Sequence, residues 1–313
     1  MTILVAMPSY TQSWVERLTY YLPDRAVYAL GEPFDRRSIH YVAAWNHPEG
    51  SLSGLPNLSV IFSLGAGVDH LLADLKLPDV PVVRMINPDL TARMSEYVIL
   101  HCLSYLRKPE QLAKQQKEKR WYKDYRAPSA ADVRVGIMGY GVLGQDAAHK
   151  LKMIGFDVAG WVRTPREQVD IPLFAGNEGL DPFLHRTDIL VCLLPFTSET
   201  KGILNLSLFE KLAQDGVIQG PFLINCGRGG CQNEADILTA LNTGILKGAT
   251  LDVFEYEPLP EDSPLWHHPL VTVTPHNSAV SNPEQLAKSI ADMIQKFEAG
   301  EPLEGIVRPE RGY

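Results

Sequence analysis

Short runs of apolar and β-branched residues alternate with segments of helical spacing over most of the chain. Runs of four to eight such residues bounded by Gly, Pro, Asn or Asp indicate strands. Strands that alternate with helical segments indicate an α/β protein with parallel sheets. For the first part of the chain the pattern predicts strands at 2–7, 40–45, 58–64 and 81–86, with helical or loop segments at 14–21 and 69–75.

A longer helical segment at 91–116 leads into a second series of strands. Pro109 should end or kink that helix, because proline lacks the N–H that a helix interior needs. The strands that follow are spaced as in successive βα units. They are predicted at 133–139, 157–162, 188–194, 221–226, 248–253 and 271–274. A last helix is predicted over 283–299, and its apolar face should be packed rather than free: Leu286, Ile290, Met293, Ile294 and Phe297.

The length of 313 residues predicts two domains, at roughly 150 residues per domain. Hydrophobic residues make up 45% and charged residues 21%, which is typical of globular proteins and argues against disordered, collagen-like and coiled-coil classes. The net charge of −8 argues against a protein whose whole surface binds nucleic acid or an anionic membrane. A small anionic ligand remains compatible with it.

The cysteines are widely separated, with no CxxC pair and no histidine at zinc-ligand spacing. We therefore expect reduced thiols and no metal site. The N-terminus lacks a basic segment followed by a long apolar one, and no apolar run reaches the roughly 18 residues that span a bilayer. These features predict a cytoplasmic protein.

A glycine-rich turn, GYGVLG, joins the strand at 133–139 to a helical segment. GxGxxG in that context favours a dinucleotide site, because the glycines permit a tight turn, a close approach of pyrophosphate and close packing of helix on strand. The helix N-terminus then offers N–H groups to the phosphates. We predict that the cofactor is bound by Gly139, Gly141, Val142, Leu143 and Gly144; the alternative is a glycine turn without a ligand.

The strand at 157–162 ends in Arg163, Thr164 and Arg166. NAD-binding folds usually have an acidic residue there for the ribose 2′-hydroxyl. Arg163 could instead pair with a 2′-phosphate through its guanidinium, and Thr164 could donate a hydrogen bond. This pattern favours NADPH, with NADH possible; the alternative is that both arginines are solvated loop charges.

Polar residues follow three further strands, where open α/β sheets place their ligands. Arg228 follows the strand at 221–226, Asp252 and Glu257 follow the next, and His276 follows the last. An arginine, a carboxylate and a histidine in these places suggest a site that binds an α-keto acid and protonates its carbonyl.

These segments together resemble the D-isomer-specific 2-hydroxyacid dehydrogenase family, and within it the glyoxylate/hydroxypyruvate reductase A branch. The resemblance extends over essentially the whole chain. It is carried by SLGAGVDH (63–70), GYGVLG (139–144), LLPFTSET (193–200), NCGRGG (225–230), LDVFEYEPLP (251–260), PLWHHPLVTVTPH (264–276) and RGY (311–313).

The resemblance implies roles for individual residues. Arg228 would bind the substrate carboxylate and carbonyl oxygen, His276 would be the general acid, and Glu257 would be its partner. Asp252 would lie near the nicotinamide amide. Further cofactor contacts would come from Leu194, Pro195, Thr200, Cys226 and Gly227. The substrate would also meet Gly65, Ala66 and Gly67, in a turn that Val68 completes, and Trp45, for which a core position is the alternative.

The family fold is a Rossmann-type dinucleotide-binding domain inserted into a discontinuous, flavodoxin-like α/β substrate domain. The resemblance implies a cofactor domain at 99–281, a substrate domain at 1–98 and 282–313, and a site in the cleft between them. It also implies a homodimer that pairs through 96–125, a segment with Trp121, Tyr122 and Tyr125.

The leading hypothesis is NADPH-dependent reduction of glyoxylate, hydroxypyruvate or a related small 2-keto acid, which gives the D-2-hydroxy acid when the product is chiral. Cys226-Gly227 stands where many relatives have small aliphatic residues, and Asn277 stands where an apolar residue is common. These departures could alter the shape of the pocket, so the preferred 2-keto acid is left open. One alternative is a dehydrogenase for another D-2-hydroxy acid, such as 3-phosphoglycerate. Another is a non-catalytic, dinucleotide-sensing interaction protein, which the presence of Arg228, Glu257 and His276 together disfavours.

Overall fold

A computed structural model describes residues 1–122, 127–166 and 170–308. The chain divides into two compact units. The first consists of residues 1–90 and the chain from Val280 on, and the second of Thr91–Ala279. Tyr125 and the terminal 311–313, which carried part of the sequence prediction, lie outside the described residues.

The first unit is a parallel sheet with helices on its faces. Its elements are β1 (Thr2–Ala6), α1 (Thr11–Tyr21), β2 (Val27–Ala29), β3 (Ile39–Ala44), β4 (Val60–Ser63), α2 (Asp69–Leu72) and β5 (Val82–Arg84). Within the described residues the strand order is β2-β1-β3-β4-β5, the flavodoxin-like order. Strand β4, which lies between β3 and β5, is buried at every position, as expected of a parallel strand covered on both sides.

The second unit is a larger parallel sheet. Its elements are α3 (Pro88–Arg107), which begins before the division, α4 (Pro109–Lys117), β6 (Arg134–Met138), α5 (Val142–Ile154), β7 (Asp157–Val162), β8 (Leu173–Ala175), α6 (Gly176–His185), β9 (Ile189–Cys192), α7 (Leu206–Phe209), β10 (Phe222–Asn225), α8 (Glu234–Asn242), β11 (Gly248–Leu251) and β12 (Val271–Val273). The strand order over the described ranges is β12-β11-β10-β9-β6-β7-β8. Chain order reverses between β6 and β9, which is where open α/β sheets bind ligands.

The last helix, α9 (Pro283–Glu298), belongs to the first unit. Asn282 caps it, because its side-chain oxygen accepts the N–H groups of Glu284 and Gln285. Leu286 and Ile290 are buried in the same cluster as α1. The prediction of a packed helix is confirmed.

The predicted fold class is confirmed. Each predicted strand is present, with ends that differ by one or two residues at most, and β7 coincides with its prediction. Pro109 does separate two helices: Lys108 has a left-handed backbone (φ 51°) between α3 and α4. Three-residue strands at the sheet edges, β2 and β8, were not predicted, because so short a run carries little pattern.

None of the helices in the described ranges combines the length and the apolar character needed to cross a bilayer.

Candidate active site

The glycine turn between β6 and α5 has a geometry that only glycine allows at two of its positions. Gly139 has φ +99°, and a Cβ there would lie 2.7 Å from the backbone of Leu193. A Cβ on Gly144 would lie 2.2 Å from the carbonyl oxygen of Gly139. The first glycine therefore permits the turn, and the third permits the close packing of α5.

The middle glycine faces open space, and this suits a dinucleotide. Apart from Gly141 itself and its immediate chain neighbours, no atom of the described residues lies within 4 Å of the position that a Cβ on Gly141 would take. Gly141 also begins α5, whose N-terminus has no side-chain cap and no acidic residue in its first turn, within the described part of the chain. An uncapped N-terminus behind an open glycine can receive a phosphate. The residues present thus fit the pyrophosphate of a nicotinamide dinucleotide.

The end of β7 carries the residues predicted to meet the adenosine ribose. Nη2 of Arg163 lies 2.8 Å from Oε2 of Glu199, a residue of the loop after β9. Arg166 donates a hydrogen bond of 2.8 Å to the carbonyl oxygen of Tyr140 in the glycine turn. Thr164 is exposed. The end of β7 itself has no carboxylate, as the sequence shows, but tertiary structure brings one to Arg163.

The loop after β9 is closed by hydrogen bonds at Thr200. Its hydroxyl donates to the carbonyl oxygen of Pro195 (2.7 Å) and accepts the N–H of Thr197 (2.8 Å). Both Thr200 and Leu194 are buried. Thr200 therefore fixes the shape of this loop, and the exposed positions between Pro195 and Thr200 are held with it.

The turn after β10 presents Arg228. The buried side chain of Asn225 holds this turn, because its oxygen accepts the N–H of Gly227 (3.1 Å) and its amide donates to Gln232 (2.8 Å). Arg228 is half-buried, and its Nη1 donates to the carbonyl oxygen of Gly227 (2.8 Å). Cys226 points into the core, where burial raises the pKa of its thiol. Any cofactor contact of Cys226 would thus come from its backbone.

Asp252, at the end of β11, is fully buried and organises the segment after β12. Its carboxylate accepts hydrogen bonds from the Thr274 hydroxyl (2.6 Å), the Asn277 N–H (3.0 Å) and the Ser278 N–H (3.0 Å). Its carbonyl oxygen accepts the N–H of His276 (2.8 Å). The charge is stabilised by several donors, as a buried carboxylate requires.

This anchoring explains an unusual backbone. His276 has φ +49°, in the left-handed region that side chains other than glycine seldom adopt. Such strain persists only where surrounding contacts enforce it. Asp252 supplies those contacts, and the Tyr97 hydroxyl, 2.7 Å from the Thr274 hydroxyl, extends them to α3.

His276 and Glu257 form a pair. Nδ1 of His276 lies 2.7 Å from Oε2 of Glu257, whose other oxygen accepts the N–H of Phe254 (3.0 Å). Burial alone would raise the pKa of Glu257, but the hydrogen bonds from His276 and Phe254 and the nearby charges of His276 and Arg228 lower it overall. An ionised carboxylate only accepts hydrogen bonds, so Nδ1 carries the proton that it receives. Nε2 of His276 is left to act on a substrate.

The first unit contains the predicted substrate turn after β4. The Ser63 hydroxyl donates to the carbonyl oxygen of Gly67 (2.8 Å) and closes the turn. A Cβ on Gly65 would lie 2.3 Å from the ring of Trp45. That ring also packs on His70, with centroids 4.4 Å apart. Trp45 is thus partly buried against the core and lies beside the turn.

Sequence reasoning placed Arg228, Glu257 and His276 at strand ends, and the structure brings Glu257 and His276 into contact. The sequence-based prediction missed Glu199, Tyr97 and the buried side chain of Asn225. Asn225 precedes the arginine at the end of a buried strand, and a buried amide in that position was an available signal.

Comparison with known proteins gives the family. Residues 99–278, more than half of the chain, match the model of the D-isomer specific 2-hydroxyacid dehydrogenase NAD binding domain. The chain is 39% identical to the glyoxylate/hydroxypyruvate reductase A of Escherichia fergusonii, over the full length of both.

Two crystal structures extend the likeness to three dimensions. The NADPH-dependent glyoxylate/hydroxypyruvate reductase of Sinorhizobium meliloti, in complex with NADP and sulfate, is 45% identical with a TM-score of 0.92. A probable 2-hydroxyacid dehydrogenase of Rhizobium etli, in complex with NADP, HEPES and tartaric acid, is 43% identical with a TM-score of 0.93. In each case the match covers 100% of this chain and 99% of the other. The protein therefore belongs to the D-isomer-specific 2-hydroxyacid dehydrogenase family.

Proposed function

We propose that the protein is an NADPH-dependent reductase of small 2-keto acids, which converts glyoxylate to glycolate and hydroxypyruvate to D-glycerate. The observation that carries the proposal is the His276–Glu257 pair, with Nδ1 held at 2.7 Å by a carboxylate of lowered pKa. Two relatives that are similar to this chain over its full length are named glyoxylate/hydroxypyruvate reductases, which supports the choice of substrates.

His276 is the general acid of the proposed reaction. NADPH, when bound, supplies the hydride that reduces the keto carbon. Nε2 of protonated His276 donates its proton to the carbonyl oxygen, which becomes the hydroxyl of the product. Glu257 stabilises the imidazolium that must make this donation, because an opposite charge at hydrogen-bond distance favours the charged form. The neutral imidazole then takes up a proton from solvent.

Arg228 orients the keto acid. A guanidinium can bind a carboxylate with two parallel hydrogen bonds, which fixes the plane of the substrate. The same charge polarises the carbonyl oxygen and stabilises the negative charge that develops there. We also propose that backbone N–H groups of the turn at Gly65, Ala66 and Gly67 receive the substrate carboxylate, with Trp45 as an adjacent wall.

We propose that the second unit is the cofactor domain and that the first unit is the substrate domain. The open face of Gly141 and the uncapped start of α5, among the described residues, support dinucleotide binding there. The remaining predicted cofactor contacts (Leu194, Pro195, Gly227 and Asp252) follow β9, β10 and β11, on the same edge of the sheet. Arg163 is proposed to hold the 2′-phosphate.

We further propose a homodimer in the cytoplasm. Large apolar side chains are exposed along α3, α4 and the chain that follows, which suits an interface: Leu100, Leu112, Trp121 and Tyr122. The cysteines are free and buried, as suits a reducing compartment. Light scattering would measure the oligomeric state, and a monomer at micromolar concentration would contradict the dimer.

The test of the proposed function is an assay of NADPH and NADH oxidation at 340 nm with a panel of 2-keto acids. We expect turnover of glyoxylate and hydroxypyruvate and a preference for NADPH. Turnover of a bulkier 2-keto acid alone would indicate a dehydrogenase of different specificity. A lack of turnover with every member of the panel would contradict the enzymatic proposal, and a strong NADH preference would contradict the role of Arg163.

A further inference from the structure

Arg163 is paired with a carboxylate from a distant part of the chain. Its Nη2 lies 2.8 Å from Oε2 of Glu199, and the two side chains are 40% and 68% exposed. Arg163 directly follows β7, at the position from which dinucleotide-binding folds recognise the adenosine ribose. The ribose position thus has a cation from one strand end and an anion from the neighbouring loop.

Glu199 is delivered by a fixed turn rather than by a free loop. The next residue, Thr200, is buried and binds the Pro195 carbonyl oxygen (2.7 Å). Its hydroxyl also accepts the N–H of Thr197 (2.8 Å), and the N–H of Thr200 donates to the Thr197 hydroxyl (3.3 Å). These bonds close the segment that contains Glu199, so the backbone of Glu199 is held within reach of Arg163.

The two cofactors would meet this pair differently. The 2′-phosphate of NADPH is an anion, which must displace Glu199 from Arg163 or bind against the repulsion of a like charge. The 2′-hydroxyl of NADH is a hydrogen-bond donor, and an ionised carboxylate is the acceptor that such folds usually offer it. One residue therefore opposes the first cofactor and favours the second.

We propose that Glu199 is a specificity-determining residue: it competes with the 2′-phosphate of NADPH for Arg163 and accepts the ribose 2′-hydroxyl of NADH. The inference rests on the proposed function, because it requires a dinucleotide at the glycine turn. Exposed ion pairs are weak and are easily exchanged. Glu199 thus moderates the preference for NADPH and keeps the use of NADH open.

The test is calorimetric binding of NADPH and NADH, and of adenosine 2′,5′-bisphosphate and AMP as fragments that carry only the discriminating end. The proteins compared are the wild type, Glu199→Gln and Glu210→Gln. Glu210 is also exposed and in the same unit, after α7, so it controls for the loss of one charge. We expect Glu199→Gln to bind NADPH and the bisphosphate about threefold more tightly and NADH about threefold more weakly. Glu210→Gln should match the wild type.

Changes in the same direction for both cofactors, or equal changes in the two variants, would overturn the inference. Such a result would leave the proposed function intact as long as the wild type binds NADPH. Failure of the wild type to bind either dinucleotide would overturn both. Glu199→Asp retains the charge on a side chain shorter by one methylene, so its affinities should lie between those of the wild type and Glu199→Gln. If Glu199→Gln bound NADH as tightly as the wild type does, the contact with the ribose 2′-hydroxyl would be excluded.

Discussion

His276 and Arg163 both follow parallel strands of the same sheet, yet their surroundings differ. The segment of His276 is tied to Asp252, a carboxylate with no exposed surface, through the Thr274 hydroxyl and two backbone N–H groups. The side chain of Arg163 is 40% exposed, and that of Glu199, with which it forms an ion pair, is more exposed still. A buried network anchors the backbone segment that carries the proposed proton donor, whereas the pair at the proposed ribose site consists of exposed charges.

The difference reflects what each end must do. Proton transfer needs reacting atoms held in a narrow geometry, and a misplacement of about 1 Å can cost roughly 10²-fold in rate. Buried hydrogen bonds give that precision because breaking them leaves unsatisfied polar groups. Selection between two cofactors needs only a modest and adjustable difference in affinity, which exposed charges provide.

Replacement of the buried anchor should reduce the rate more than the affinity. We expect Asp252→Asn to lower kcat by about 10²-fold, because the amide cannot accept all the hydrogen bonds that fix the His276 segment. The affinity for NADPH, measured by calorimetry, should change by much less. Thr274→Val removes only one of these bonds and should lower kcat by about tenfold.

A different outcome would redefine Asp252. If the affinity for NADPH fell as far as kcat, Asp252 would act chiefly through cofactor binding rather than through the His276 segment, and the anchoring account would be wrong. Thr274→Val keeps the test valid should Asp252→Asn fail to fold.

The partner of the general acid should control the rate of proton donation. The pKa of Glu257 is lowered, so its carboxylate is ionised throughout the neutral range. In Glu257→Gln the imidazolium loses this opposite charge, and we expect kcat to fall about tenfold at neutral pH. An unchanged kcat would show that Glu257 has no influence on the proton donor.

The stability that the same carboxylate contributes should be lost under acidic conditions. Because its folded-state pKa lies below the ordinary 4.5, the stabilisation is present above pH 4.5 and is lost as the pH falls through the lowered value. The difference in unfolding free energy between wild type and Glu257→Gln should therefore shrink below that pH. Urea titrations at a series of pH values would measure it, and a difference that grew towards acid pH would contradict the assigned direction.

Two tyrosines of α3 provide the test with the smallest expected effect. The Tyr97 hydroxyl lies 2.7 Å from that of Thr274, and the Tyr105 hydroxyl lies 2.7 Å from that of Thr250. Each Phe variant should lose about 1 kcal/mol of stability. Only Tyr97→Phe should also lower kcat, by about threefold, because only Tyr97 contacts a residue bound to Asp252. Equal kcat values in the two variants would show that Tyr97 does not contribute to the hydrogen-bond network that positions His276.

The sequence predicted this molecule well where function follows strand ends. Arg228, Glu257 and His276 lie in the segments that follow β10, β11 and β12, and parallel topology alone places those strand ends on one edge of the sheet. The β-branched runs likewise predicted the strands, except for short edge strands such as β2. Such regularities are local and can be read from spacing.

The missed features depend on tertiary structure. Glu199 and Arg163 are far apart in sequence, and nothing in either segment indicates which loop reaches the end of β7. Asp252 was predicted from family likeness to lie beside the nicotinamide, but its burial and its hold on Thr274 emerge only once β11 and β12 are paired. The contrast between buried and exposed charge could therefore be seen only in the folded structure.

The central claim is that His276 donates the proton and that its buried anchor serves this role. The most direct measurement is single-turnover oxidation of NADPH by glyoxylate in wild type and His276→Ala, with NADPH affinity measured by calorimetry on the same samples. The account predicts a rate about 10³-fold lower in the variant, with NADPH affinity within about twofold of the wild type. A rate within about tenfold of the wild type, or a loss of NADPH binding, would contradict it.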